Sequence, residues 1–280
     1  MAVPAQAKRI EVEPGKGTLQ RAVNRAAPGD KLVLEARGVY KGGVVVEKRL
    51  TIRGPSEGGP PRIDGRCREA FTILVLDGRV TLNRLAVTGA ADAVAGQYGG
   101  AEINFIEEGR GSARNLRLGA SCDATQYGIN VFDTGDVTTS GNRISGYLDA
   151  AIYVGGIRNP ETAIAVRDNV ARDNNHGILI EDSLSQPQIA VAFNEARRND
   201  EGLSSAGVYI RNSDGVRIEG NESTGSAFAG IWLDGNSDFN VVNGNSAAGS
   251  GTADLQNDGE GNCGSGNAFG TEAGNPLSVC

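Results

Sequence analysis

Two strand-like motifs recur along the chain with a shared period, and no other feature limits the fold as tightly. The first has the form small-apolar-x-apolar. It appears as Ala101-Glu102-Ile103-Asn104-Phe105, Gly128-Ile129-Asn130-Val131, Ala151-Ile152-Tyr153-Val154 and Gly177-Ile178-Leu179-Ile180. It continues as Gly207-Val208-Tyr209-Ile210, Gly230-Ile231-Trp232-Leu233 and Thr252-Ala253-Asp254-Leu255. The first apolar positions are 103, 129, 152, 178, 208, 231 and 253. Between these units runs a second series ending in asparagine, such as Ile164-Ala165-Val166-Arg167-Asp168-Asn169 and Val216-Arg217-Ile218-Glu219-Gly220-Asn221. Its asparagines fall at 83, 115, 142, 169, 194, 221 and 245.

Each unit alternates with period two over a few residues and is bounded by Gly, Asn, Asp or Ser, which reads as a short strand. No helical pattern follows residue 30, so alternating βαβ folds are excluded. A single coil of this length cannot bury its apolar face. Stacked coils bury it as one column, with neighbouring strands about 4.8 Å apart. An inward asparagine at the same turn of each coil can then donate and accept along the stack. Small inward residues keep the column narrow, in keeping with 5% aromatics and 41 glycines in 280 residues.

The ends fit the same plan. Thr18 to Ala27 places Leu19, Ala22, Val23 and Ala26 on one helical face, and Pro28-Gly29 stops it. Such a helix covers the open end of a stack, where strand edges would otherwise be exposed. The expected organisation is therefore a leader segment 1–7, a strand and capping helix over 8–30, stacked coils over 31–258, and a looped cap over 259–280. Met1 to Ala7 reads as the end of a secretory signal, with Ala5-Gln6-Ala7 as a small-x-small cleavage pattern, or as an incidental alanine-rich start.

Composition removes several functions. Lys and Arg number 27 against 34 Asp and Glu, a net charge of −7, which argues against a nucleic-acid partner. No apolar run approaches the ~18–20 residues of a membrane span, so membrane insertion is not expected. One histidine cannot build a His-rich zinc site. The cysteines, Cys67, Cys122, Cys263 and Cys280, form no CxxC pair. A bridge between Cys263 and Cys280 would staple the Gly/Asn/Ser-rich tail and contribute about 3 kcal/mol in the chain-entropy picture. Four reduced, buried thiols are the alternative. Acidic charge, paired cysteines and the leader pattern together point to a secreted or cell-surface protein.

Thr18-Leu19-Gln20-Arg21-Ala22-Val23, then Ala27-Pro28-Gly29-Asp30, Gly38-Val39-Tyr40, Leu50-Thr51-Ile52-Arg53-Gly54 and Ile63-Asp64-Gly65 resemble the opening of right-handed parallel β-helix proteins. That broad family includes pectate-lyase-like enzymes, mannuronan epimerases and NosD-type repeat proteins. The resemblance implies an all-β, single-stranded right-handed parallel β-helix of about eight or nine coils with an N-terminal capping helix. It also implies an outward face used on carbohydrate.

Aligning the first series by its inward residues brings the outward ones into files. One file holds Asn104, Asn130, Tyr153, Leu179, Tyr209, Trp232 and Asp254, and the next holds Phe132, Gly155, Glu181, Arg211, Asp234 and Gln256. Asp133 and Asp182 stand one position further on. Aromatic faces stack on sugar rings, and carboxylates exchange protons with them. Asn130, Asp133, Tyr153, Tyr209 and Trp232 are therefore candidate substrate-binding residues, and Glu181, Asp182, Arg211, Asp234 and His176 are candidate catalytic ones. The bland reading is an ordinary ion-pair ladder worth under about 1 kcal/mol. Glu181 and Asp234, two coils apart, would stand about 9–10 Å from each other. That lies at the upper limit of the ~6.5–9.5 Å spacing of inverting glycosidases. Arg211 between them suits a substrate carboxylate better, because a guanidinium binds carboxylates bidentately. His176 is the only imidazole and stands where a turn enters a strand.

Signature motifs of the polygalacturonases, mannuronan epimerases and pectate lyases are missing. No metal ligand set is read from the sequence. Calcium is the one cofactor left open. The leading expectation is an exported protein that acts on or binds a polysaccharide by lyase, epimerase or hydrolase chemistry, as a monomer or homotrimer. A non-enzymatic surface or assembly protein and a small-molecule isomerase or cyclase are the alternatives.

Overall fold

The computed structural model describes residues 6–91, 100–183, 188–200 and 202–280. Most of the 1–7 segment read as a leader lies outside the described residues. The chain winds as a parallel β-solenoid. Every strand pairing is parallel, and each strand bonds to its equivalents one coil before and one coil after, as in Ile103, Ile129, Ile152, Ile178, Val208, Ile231 and Leu255. Two files of strands merge into one nineteen-stranded sheet, because Phe71–Asn83 and Ala101–Arg114 run through the bend between the files without a turn. A separate ten-stranded sheet forms the third side. Its ten strands count ten coils, slightly more than the eight or nine expected. The excess comes from the C-terminal segment. Residues 259–280, expected as a loop, add the short strands Cys263–Ser265, Ala268–Phe269 and Glu272–Gly274. Their cores are Gly, Ser and Ala, so no apolar alternation announces them.

One continuous core fills the column, built from the inward residues of all three sides. At the N-terminal end Thr18–Arg25 is helical, with Leu19 and Val23 buried against the first coil. The helix stops two residues before Ala27. Ala26 is already extended at φ −66°, ψ 142°, and Pro28 disfavours helical backbone at the residue before it.

The asparagine ladder is real but starts later than expected. Asn142, Asn169, Asn194, Asn221 and Asn245 are all buried, and each side-chain amide bonds to the next asparagine, ending at Asn267. Every ladder residue follows a corner residue at positive φ: Gly141, Asp168, Phe193, Gly220, Gly244 and Gly266. In the earlier coils that corner is Arg84 and Asn115, and the inward place after it holds Leu85 and Leu116. Asn83 and Asn115 therefore sit one or two positions too early and bond to each other at the surface, 3.1 Å apart.

Two disulfides, Cys67–Cys122 and Cys263–Cys280, use all four cysteines. The second is the staple expected for the tail. Such bridges persist in oxidising surroundings. No helix among the described residues is long and apolar enough to cross a membrane.

Candidate functional site

The outward files of the first strand series pair as the repeat spacing requires. Tyr153, Leu179, Tyr209 and Trp232 stand on successive coils, as do Phe132, Gly155, Glu181 and Arg211. The last unit is the exception. Leu255 pairs with Ile231 and Gln256 with Trp232, so Asp254 belongs beside Gly230 and not in the aromatic file. The inward place opposite Leu233 holds Asn257, buried and bonded to Asn262 and to the Asn275 carbonyl. A polar inward residue is invisible to a search for apolar alternation.

These residues form a second packed cluster on the outside of the coil. It contains Tyr153, Leu179 and Tyr209, with Tyr127, Phe132 and Trp232 against it. Tyr209 and Trp232 stack at 4.1 Å with an interplanar angle of 4°, and Phe228 tilts against Trp232 at 4.5 Å. Only 8% of Tyr153 and of Tyr209 is exposed. Tyr127 leans on the Tyr153 ring at 4.8 Å, and Trp232 and His176 pack against Tyr209, so neither tyrosine presents the open ring face that a sugar platform needs. Trp232 is half-buried, as are Tyr127, Phe132 and Phe228.

Polar groups crown this cluster. The Tyr153 hydroxyl donates to Glu181 Oε2 at 2.9 Å. Its ring reaches there by lying across Gly155, where a Cβ would meet the phenol oxygen at 2.3 Å. Glu181 Oε1 pairs with Arg211 Nη1 at 2.8 Å, and the Arg211 side chain is 54% exposed. Tyr127 donates to Asp149 at 2.8 Å, and Trp232 Nε1 donates to Asp258 at 3.1 Å. The Tyr209 hydroxyl makes no hydrogen bond among the described residues. Burial pushes it up to about 12, and pushes Tyr127 and Tyr153 further up still, with Asp149 and Glu181 adding to this. All three phenols are proton donors rather than bases.

His176 is 5% exposed; its Nδ1 accepts the Ala206 N–H at 3.1 Å, and its ring leans on Tyr209 at 5.2 Å. Burial, with the Arg211 charge adding, lowers it to about 4, so the ring is neutral. Asp234 lies beyond the strand end at Leu233, and its Oδ1 caps a turn by accepting from Asn212 N, Asn236 N and Ser237 Oγ. It stands beside Arg211 in register, its N–H donating to the Ile210 carbonyl, but its Oδ1 is taken by that cap and it forms no ion pair with Arg211 among the described residues. Asp182, on the neighbouring corner, accepts from Asn212 Nδ2 at 2.6 Å. Asn130 lies under Tyr153, buried, with its amide on Asn104 at 2.7 Å. Asp133 is exposed at an earlier corner, in a groove shared with Glu108, Arg110 and Arg158. The structure thus brings together His176, Tyr153, Glu181, Tyr209, Arg211 and Trp232, and leaves Asp133 apart. Tyr127, Asp149, Phe228 and Asp258 complete the cluster. The repeat spacing missed them because Tyr127 opens its strand ahead of the aligned motif, Asp149 and Phe228 precede theirs and Asp258 follows one.

A solenoid with this face is a parallel β-helix protein, and known structures agree. A pectate lyase, Pel9A, superimposes at TM-score 0.66 with 11% identity, over 97% of this chain and 79% of that one. The periplasmic alginate epimerase AlgG gives 0.58 with 15% identity, over 97% and 83%. An alginate lyase from Paenibacillus sp. str. FPU-7 gives 0.57 with 16% identity, over 97% and 99%. At these identities the likeness is one of fold. No curated protein sequence matches the chain. Residues 101–273 match the family model described as periplasmic copper-binding protein (NosD). That is more than half of the chain, which therefore belongs to the NosD family of right-handed parallel β-helix proteins.

The copper of that description finds no matching donor set here. Copper favours thiolate, thioether and imidazole. Both cysteine pairs are disulfides, the sole methionine is Met1, and the sole histidine is buried with Nδ1 engaged. No group of three or more His, Cys, Asp or Glu suited to a metal occurs among the described residues.

Proposed function

We propose that the protein acts on a uronate-containing polysaccharide outside the cytoplasm, by lyase or epimerase chemistry, at the face carrying Glu181, Tyr209, Arg211 and Trp232. The observation that carries this reading is a half-exposed guanidinium beside a phenol with no hydrogen-bond partner among the described residues, edged by the half-buried tryptophan. Arg211 neutralises the substrate carboxylate, which acidifies the carbon-bound proton next to it. Glu181, exchanged from Arg211 to the substrate, accepts that proton, and the electron pair it leaves behind is delocalised onto the carboxyl group. Tyr209, kept protonated by burial, supplies a proton. Given to the opposite face of the same carbon it inverts the centre. Given to the departing glycosidic oxygen as the C–O bond breaks, it leaves an unsaturated sugar. Hydrolysis is less well supported, because Asp234 is committed to its turn. The fold likeness to pectate and alginate enzymes and the periplasmic family description lend support to substrate class and compartment.

A second reading is favoured by one fact: the aromatic file is covered and Glu181 and Arg211 satisfy each other, as in a scaffold used for assembly. An assay on polymannuronate, polyguluronate and polygalacturonate separates the two, reading unsaturated ends and solvent-deuterium uptake. We expect turnover on at least one polymer and a loss of 100-fold or more in kcat/KM for Arg211→Ala, the order expected for a lost charge-stabilising donor. Its stability should change by only about 1 kcal/mol, since the Arg211 side chain is half in solvent and Glu181 keeps the bond from the Tyr153 hydroxyl. No reaction on any of the three polymers would leave the scaffold reading.

A further inference from the structure

The ten-stranded sheet carries a feature that the outward aromatic face does not use. Arg117 and Arg143 pair in register on successive coils, and so do Arg172 and Arg197 two residues further along their strands. Side chains two apart on a strand share a face, so four guanidiniums project from neighbouring rungs about 4.8 Å apart. Arg198, at the positive-φ corner after Arg197, adds a fifth. Together they line a shallow groove of about 830 Å³ in which Glu195 is the only carboxylate among the described residues. Part of this charge is compensated at the surface. Arg197 pairs with Glu195, and Arg198 with Asp173 at 2.9 Å. Arg172 stands 3.8 Å from the same aspartate. Arg117 and Arg143 form no ion pair among the described residues, and both are exposed.

Like charges directly opposite on paired strands are unfavourable, and here they occur in a protein of net charge −7. An anion lying across the two rungs would relieve the repulsion. Guanidiniums bind carboxylates through paired, parallel hydrogen bonds. Because the cations follow the solenoid axis at rung spacing, the matching ligand is an extended polymer with repeating anionic groups. Among the described residues the groove has no aromatic lining. Single-stranded nucleic acid relies on stacking platforms as well as charge, so the chemistry fits a carboxylated polysaccharide better.

We infer that the ten-stranded sheet is a second, non-catalytic binding surface for an acidic polysaccharide, anchored by Arg117 and Arg143. Such a surface would hold the polymer to the protein while another stretch of it reaches the aromatic face. The choice of a uronate polymer rests on the function proposed above. The anion site itself stands on the arginines alone.

Affinity electrophoresis of the full chain in gels containing polygalacturonate, at low ionic strength, tests this. Neutral dextran serves as the blank, and a parallel titration uses a single-stranded oligodeoxythymidylate. Wild type should be retarded by polygalacturonate and not by dextran. The double variant Arg117→Gln/Arg143→Gln should bind at least ten-fold more weakly, with catalytic turnover of short oligouronates unchanged. Arg211→Ala should lose turnover yet keep the retardation. Equal retardation of wild type and the double variant would overturn the inference, as would tighter binding of the oligodeoxythymidylate than of polygalacturonate. Absence of turnover in the wild type with retardation intact counts against the proposed catalytic face only. Arg117→Lys/Arg143→Lys keeps the charge without the fork and should recover part of the retardation.

Discussion

Replacing Asn194 by Leu should lower the unfolding free energy by about 4 kcal/mol, the largest single-site effect expected outside the apolar core. The side chain makes four buried hydrogen bonds. Its Oδ1 accepts from Asn169 N and Asn169 Nδ2, both at 3.0 Å. Its Nδ2 donates to Val166 O at 2.8 Å and Asn221 Oδ1 at 2.9 Å. Leucine has comparable bulk but orphans the buried Asn169 N–H and takes one bond each from the Val166 carbonyl, Asn169 Nδ2 and Asn221 Oδ1 in the dry interior. Such an orphan costs about 1–3 kcal/mol, more than the net worth of each lost bond. The damage also sits at an interface between coils, which a solenoid relies on for cooperativity. Denaturant unfolding followed by Trp232 fluorescence reads the loss. Asn83→Ala, which removes one surface partner of Asn115, is the control and should cost under about 1 kcal/mol. Equal effects at the two sites would mean that the ladder is not what joins the coils.

Two buried groups are expected to give opposite pH dependences of comparable size. Glu102 is fully buried, and burial raises its carboxyl to about 7 against accepted bonds from Thr72 Oγ1, Gly89 N and Ala90 N. Thr72 can take the proton of the neutral acid, because its own hydroxyl also reaches the Thr88 carbonyl. A carboxyl raised on folding favours the fold fully below its unfolded value and loses that contribution as pH climbs towards 7. His176 does the reverse. Its folded value near 4 lies below the ordinary 6.5, so its contribution is complete above 6.5 and disappears as pH falls towards 4. Each shift corresponds to about 3 kcal/mol, and between roughly pH 4.5 and 6.5 the two should offset one another.

Single variants unmask the partner. In Glu102→Gln, stability relative to wild type should rise as pH goes from 5 to 8, whatever constant offset the amide introduces. In His176→Asn, whose oxygen can still accept the Ala206 N–H, stability relative to wild type should rise as pH falls from 6.5 to 4. Thermal unfolding of the three proteins across that range checks both. Parallel pH curves for all three would show that folding shifts neither group.

Much of this architecture is written in the chain's periodicities. Period-two alternation at residues 129–131, 152–154, 178–180, 208–210 and 231–233 was enough to align Tyr153, Leu179, Tyr209 and Trp232 into one file, and the structure pairs them so. Legibility failed where an inward place is polar or a turn intervenes. Asn257 hid the register of the last full coil, and the glycine-rich tail hid another. Asn83 and Asn115 carried the right residue type at the wrong offset from the corner. At the site, the file told which side chains neighbour one another but not how much each covers the next. The stacked rings that bury Tyr209 and the cap that occupies Asp234 depend on rotamers and turn geometry, which spacing does not encode. The paired arginines of the ten-stranded sheet sit in strands of only three residues, too short to register as a repeat.

The central claim is that substrate lies across Arg211 and the Tyr209–Trp232 stack. Trp232 is the chain's only tryptophan, so intrinsic emission reports on that face directly. Titration with defined oligouronates should give a saturable change in emission that disappears in Arg211→Ala and persists in Arg117→Gln/Arg143→Gln. Saturable binding by calorimetry with no change in Trp232 emission, or an emission change indifferent to Arg211, would place the ligand elsewhere and contradict the account.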